Sequence, residues 1–425
     1  EVNFIHTTEA IKNNGNPSAF YSLAHPLYEG NSQPLLYYYL LALSTALFGD
    51  SLIAWRLVSI LFNVGVIFLV YFIALYIFEG KKNKEKWALF AVVLYALNPL
   101  AIQSSVILDI DGGILNFFTL LFVFLFVKDA KPIYLIPSLF LVFWSKLTGP
   151  TVLFASLFIY IIFTKSKDKI ISAKETAFVF ISSLLLFLST YWFYVAYYQL
   201  RFLTLFEHGS VTSNLISFIS APIPFILRSI WSLKSFIYFA VPFFILLFLS
   251  LLFVFVKRRY YIKYDKLFFI GIVSFITIFI FFTYGATGFN FPKYYATALS
   301  FMSIFSAFML SKIKFNFEMK RYYLLYIALL IITSLYFFFF LRDPLIPEIS
   351  STINMISLKI ALFPLIKRFL LYVIIPLIIS FIFIYKLKLK NKFFVILILL
   401  TFILYLYLGI IQALANYSTH NLYGT

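Results

Sequence analysis

Long apolar stretches alternate along the chain with short polar connectors, most of them basic. Runs able to cross, or nearly cross, a hydrocarbon layer of about 30 Å lie at 52–78, 87–107, 113–127, 132–145, 150–163, 176–199, 236–256, 267–284, 294–310, 322–341, 369–385 and 393–411. This pattern predicts an all-α polytopic membrane protein with about twelve membrane helices. Two segments read differently. PLLYYYLLALSTALF (34–48) is about 15 residues long. Its length and its tyrosines Tyr37, Tyr38 and Tyr39 predict an interfacial helix. VNFIHTTEAIKNNGNP, from Val2, predicts a short surface helix stopped by Asn13-Asn14-Gly15 and then Pro17. The neighbouring runs 132–145 and 150–163 predict a helical hairpin with Lys146 at its tip.

Composition agrees: 63% of residues are hydrophobic and 12% charged, against about 25% charged in a soluble domain. The chain has no cysteine, which excludes disulfides and thiolate metal sites. A net charge of +18 would suggest nucleic acid in a soluble protein. Here the lysines and arginines sit between apolar runs, where they set topology, and no nucleic-acid partner is expected.

Six connectors hold 23 of the 34 basic residues: 81–86, 128–131, 165–174, 257–266, 312–321 and 386–392. With 34–48 left out of the crossings, all six fall on one face, the cytoplasmic one. The outer face then carries residues 1–51, the LDIDGG turn (108–113), the tip at Lys146, the 200–235 loop, 285–295, 342–368 and the C-terminal piece. Nine of the sixteen acids lie there: Glu1, Glu9, Glu29, Asp50, Asp109, Asp111, Glu207, Asp343 and Glu348. Polar chemistry is thus expected on the extracytoplasmic side. The implied organisation is a first outer loop with interfacial helices (1–51), a transmembrane helical domain (52–411) and the start of an outer soluble domain (412–425).

Asp109 and Asp111 are spaced i, i+2, which in an extended turn points both side chains the same way. Such acids can serve as a general base on an acceptor hydroxyl, or hold a divalent cation (Mg or Mn) against a phosphate. The plain alternative is a solvated Asp-Gly turn. Basic residues on the outer face are scarce. Lys146, Arg56 at the mouth of the 52–78 span, and Lys293 in FPKYY would suit a lipid phosphate at headgroup depth. The alternative is snorkelling, with the stem packed and the charge in water. His6, His25, His208 and His420 also fall outside, and only His6 shares a helical face with an acid, Glu9. Nothing in their spacing predicts a structural metal site.

The order of these elements resembles a known family. Pro34-Leu35, Leu47-Phe48-Gly49 and Ala54-Trp55-Arg56-Leu57 are similar to the first block of membrane glycosyltransferases of the protein O-mannosyltransferase and aminoarabinose transferase type. Gln33 stands where that block has its first proline. NPLAIQSSVILDIDGGILNFFTLLFVF (98–124) resembles the second block, with an acid followed by a Phe-rich helix. FWSKLTGPTVL (143–153) is similar to the lysine-bearing hairpin, FPKYYATALSF (291–301) to a late tyrosine-bearing span, and ANYSTHNLYGT (415–425) to the start of an outer domain.

The resemblance implies a GT-C fold of thirteen spans, with one span preceding Glu1. It implies inverting transfer of a sugar from a polyprenyl-phosphate-linked donor to a protein, lipid or glycan acceptor, on the outer face of the plasma membrane. In that family an acid directly after the first span is the catalytic one, which puts Glu1 or its upstream neighbour in the role of base. Asp109 and Asp111 would then orient sugar or acceptor, or hold the cation. Lys146, Arg56 and Lys293 would bind the lipid phosphate. The rival is a transporter or flippase for a lipid-linked sugar. It would place its charges between spans, within reach of both faces, whereas these collect on one face.

Overall fold

In this computed structural model, residues 2–14, 34–81, 83–108, 110–163, 173–198, 262–285 and 295–311 are described, with scattered positions between 219 and 256. All regular elements among them are helices: α1 (Val2–Asn14), α2 (Leu36–Phe48), α3 (Leu52–Ile77), α4 (Lys84–Ala96), α5 (Pro99–Val106), a π-helical turn (Ile110–Leu115), α6 (Asn116–Val127), α7 (Pro132–Ser145), α8 (Thr148–Phe163), α9 (Ala173–Tyr198), α10 (Ile262–Gly285) and α11 (Ala296–Leu310). The expected spans at 236–256, 322–341, 369–385 and 393–411 lie wholly or largely outside the described residues.

The chain divides into two compact units, Glu1–Ala96 with Gln103–Lys312, and Leu97–Ile102 with Ile313–Thr425. Of the second, only Leu97–Ile102 is described. It corrects one expectation: the run 87–107 is not a continuous helix. Asn98 turns the chain and accepts a hydrogen bond from the Leu100 amide at 2.9 Å. Pro99 takes the first position of α5, where a missing N–H is no loss. An Asn-Pro pair restarts the helix there, and apolarity alone hides it.

Helix ends elsewhere follow local chemistry. Gly49 adopts φ +75°, a left-handed backbone that closes α2. The hydroxyl of Ser51 then accepts from the Ala54 amide at 3.2 Å and caps α3. Among the described residues, three helical stretches are long and apolar enough to cross a membrane: Leu52–Ile77, Ile110–Val127 and Lys174–Tyr197. Helix α7, at 14 residues, reaches only about 21 Å at 1.5 Å per residue, which is short for a full crossing.

Helix α2 has a packed side and an exposed side. Tyr37, Tyr38, Leu41, Ala42, Ser44 and Thr45 are buried, while Tyr39, Leu43 and Leu47 form an exposed apolar stripe at i, i+4, i+8. Phe4 of α1 packs edge-on against Tyr37, with centroids 5.4 Å apart. On α3, Leu61, Val64, Phe68 and Phe72 are exposed, and on α9 Phe178, Ile181, Leu185, Trp192 and Phe193. So much large apolar surface suits acyl chains and not water.

Charge is carried at both ends of the Ile110–Val127 stretch. At its C-terminal end the Lys128 ammonium lies 4.7 Å from the centroid of the Tyr76 ring, and Asp129 pairs with Lys266 of α10 at 2.5 Å. Close by in sequence, the Tyr160 hydroxyl donates to Asp265. At the N-terminal end lies Asp111.

Candidate active site

Ile110–Leu115 winds as a π turn before α6 begins at Asn116, and all six of its residues are buried. π turns hold an extra residue within a helix and gather at functional sites. The turn lies against α3: a Cβ added to Gly113 would come 3.8 Å from Ser59 Cα. LDIDGG is therefore not a solvated surface turn over its described part. Asp111 is 4% exposed, which removes the ordinary Asp-Gly turn as its explanation.

A buried carboxylate needs a partner, and Lys146 supplies it. The Lys146 ammonium donates to Asp111 Oδ1 at 2.7 Å, with the two side chains 13% and 5% exposed. Lys146 thus pairs with an acid 35 residues away, which excludes snorkelling into water. The turn between α7 and α8 places it. Its backbone is extended (φ −168°, ψ 136°), and its amide bonds back to the Val142 carbonyl at 3.1 Å. Its own carbonyl accepts from the Gly149 amide at 3.1 Å, opening α8. A Cβ on Gly149 would stand 2.6 Å from Leu115 Cδ1 and 2.6 Å from Val142 Cγ1. Glycine is what lets the hairpin close against the π turn.

A chain of buried polar side chains joins the surrounding helices. Tyr37 and Ser59 share a hydrogen bond of 2.7 Å. Asn63 donates to the carbonyls of Ser59 and Ser104 at 3.1 and 3.2 Å. The Tyr95 hydroxyl donates to Asn63 Oδ1 at 3.2 Å and accepts from Asn116 Nδ2 at 3.1 Å. Ser300 Oγ lies 2.9 Å from the Asn116 amide nitrogen and 3.1 Å from its oxygen. Six helices, α2, α3, α4, α5, α6 and α11, are tied through this chain. Sequence reasoning missed it, although Asn63 and Asn116 each interrupt an apolar run. A polar residue there signals hydrogen bonding between helices.

The other expected residues are spread or lie elsewhere. Arg56, in the second turn of α3, is part-buried and has no carboxylate partner among the described residues. It stands one turn before Ser59, where α3 meets the π turn. Glu1, Asp109 and Lys293 lie outside the described residues. His6 and Glu9 approach to 3.7 Å on exposed surface. No group of three or more His, Asp or Glu side chains that could hold a metal occurs among the described residues. A divalent cation on Asp111 would sit beside the Lys146 ammonium, whose like charge opposes it.

Residues 32–194 match the family model of dolichyl-phosphate-mannose-protein mannosyltransferase. No curated protein sequence matches the chain significantly. Among solved structures, ArnT from Cupriavidus metallidurans bound to undecaprenyl phosphate superposes with a TM-score of 0.56 at 12% identity, covering 98% of this chain and 74% of that one. The same protein in the apo state gives 0.55 at 12% identity, covering 96% and 72%. Both members of the buried pair, Asp111 and Lys146, fall within the matched segment. The resemblance read from the sequence holds: the chain is a polytopic membrane protein of the GT-C fold, similar over residues 32–194 to the dolichyl-phosphate-mannose-protein mannosyltransferases and over nearly its whole length to ArnT.

Proposed function

We infer that the chain is an inverting membrane glycosyltransferase, moving a sugar from a polyprenyl-phosphate carrier to an acceptor hydroxyl on the extracytoplasmic face of the plasma membrane. The observation that carries this reading is the buried Asp111–Lys146 pair, 2.7 Å apart, inside the segment that matches the mannosyltransferase family. The undecaprenyl phosphate held by ArnT supports a polyprenyl phosphate as the donor's carrier.

The chemistry divides among named residues. A carboxylate, assigned to Glu1, takes the proton of the acceptor hydroxyl as its oxygen attacks the anomeric carbon. The bond from that carbon to the phosphate oxygen breaks on the opposite side, inverting the centre and leaving the carrier phosphate with an added negative charge. Lys146, Arg56 and Lys293 are assigned to that charge. An ammonium has three donors, so Lys146 can serve Asp111 and a phosphate oxygen together. Asp111 holds Lys146 in place, and Asp109 orients the sugar or acceptor.

The test is sugar transfer from a purified undecaprenyl-phosphate-linked donor, with Asp109→Asn and Asp111→Asn combined. Transfer should fall at least a hundredfold. Transfer at the wild-type rate would remove the site assignment.

A further inference from the structure

The geometry points to Asn116 as a positioning residue for the Asp111–Lys146 pair, an assignment that rests on the reading of that pair as the phosphate site. Asn116 is the first residue of α6, directly after the π turn that carries Asp111, and it is fully buried. Its amide nitrogen reaches back to the Gly112 carbonyl at 3.4 Å, the residue next to Asp111. In a π turn that carbonyl bonds five residues ahead and not four, so the side chain at position 116 takes up the place of the α-helical donor. The amide is held from outside by two other helices: its nitrogen donates to the Tyr95 hydroxyl of α4 at 3.1 Å, and its oxygen accepts from the Ser300 hydroxyl of α11 at 3.1 Å, which leaves the second N–H for Gly112.

A buried amide fixed by several partners is costly to rotate, because any turn leaves a donor or acceptor unpaired. Asn116 thereby fixes the π turn, and with it the direction of Asp111. Leucine at this position would fill the same space without holding the Gly112 carbonyl. Asn116 touches no reacting atom in this scheme. It acts through the acid and its lysine.

The experiment uses the full chain in lipid nanodiscs. Hydrogen exchange is followed on the peptide covering 110–118, and binding of undecaprenyl phosphate is titrated, for wild type, Asn116→Leu, Ser300→Ala, Lys146→Gln and the double variant Asn116→Leu with Lys146→Gln. Exchange across 110–115 should rise at least tenfold in Asn116→Leu, and less in Ser300→Ala, with other peptides unchanged. Lipid binding should weaken about tenfold in Asn116→Leu and show no further loss when Asn116→Leu is added to Lys146→Gln. That non-additivity marks two residues acting through one contact. Unchanged exchange across 110–115, or equal losses of binding in both backgrounds, overturns the assignment. If Asn116→Leu does not fold, the smaller effect expected of Ser300→Ala decides by the same two criteria. Raised exchange with lipid binding intact in every variant, Lys146→Gln included, upholds the positioning role and overturns the phosphate-site reading.

Discussion

Asp111 and Lys146 are each unremarkable in one dimension and inseparable in three. Removing one partner of a buried ion pair strands the other charge, at a cost of about 3–5 kcal/mol, whereas replacing both often restores stability. Asp111→Asn and Lys146→Gln alone should each lower thermal stability, and the double variant should recover much of it in a detergent melting assay. Sugar transfer should stay lost in all three. Recovery of transfer with stability would make the pair structural only. The sequence marked both residues as candidates but assigned them separate partners: sugar, acceptor or a divalent cation for the acid, and a lipid phosphate for the lysine. Of the two acids of LDIDGG, Asp111 lies among the described residues, where it is buried and paired, and Asp109 lies outside them. The burial of Asp111 comes from the π turn, which winds it into the helix packing, and no residue pattern announces that extra residue.

At the level of elements, the hairpin α7–α8 is what delivers Lys146, and its closure depends on Gly149. An alanine there would overlap Leu115 and Val142, and overpacking of a filled core costs about 1–3 kcal/mol. Gly149→Ala should therefore lower the melting temperature and reduce transfer more than stability alone explains, because the hairpin's shift moves Lys146 from Asp111. A variant with wild-type melting and rate would show that the neighbours yield without moving the lysine. Both helices of this hairpin were legible from their apolar runs, as were α2 and α1. The break before α5 was not: the run 87–107 is apolar throughout, and only the pair Asn98-Pro99 carries the signal.

At the scale of the whole molecule, charge distribution did most of the work. The basic connectors predicted two faces, and the structure puts Asp111 and Lys128 at opposite ends of the same helical stretch, Ile110–Val127. Which face is external follows from the positive-inside rule and is open to a direct measurement. The chain has no native cysteine, so single cysteines report without background. A membrane-impermeant maleimide added to intact cells should label Asp50→Cys and spare Lys131→Cys until the cells are permeabilised. The reverse order would turn the molecule over and remove the extracytoplasmic site. The polar chain from Tyr37 to Ser300 was invisible at this scale, since its members are scattered through apolar runs and meet only when six helices assemble.

That scattering sets a schedule for biosynthesis. Ribosomes add roughly 5–20 residues per second. Lys146 follows Asp111 by 35 residues, so the acid waits roughly 2–7 s for its counter-charge at that pace. Ser300 follows Asn116 by 184 residues, a wait of roughly 9–37 s at the same pace. The ion pair can thus form while the first half of the chain is entering the bilayer. The amide that aims it is locked only after α11 arrives, so the site is neutralised early and finished late.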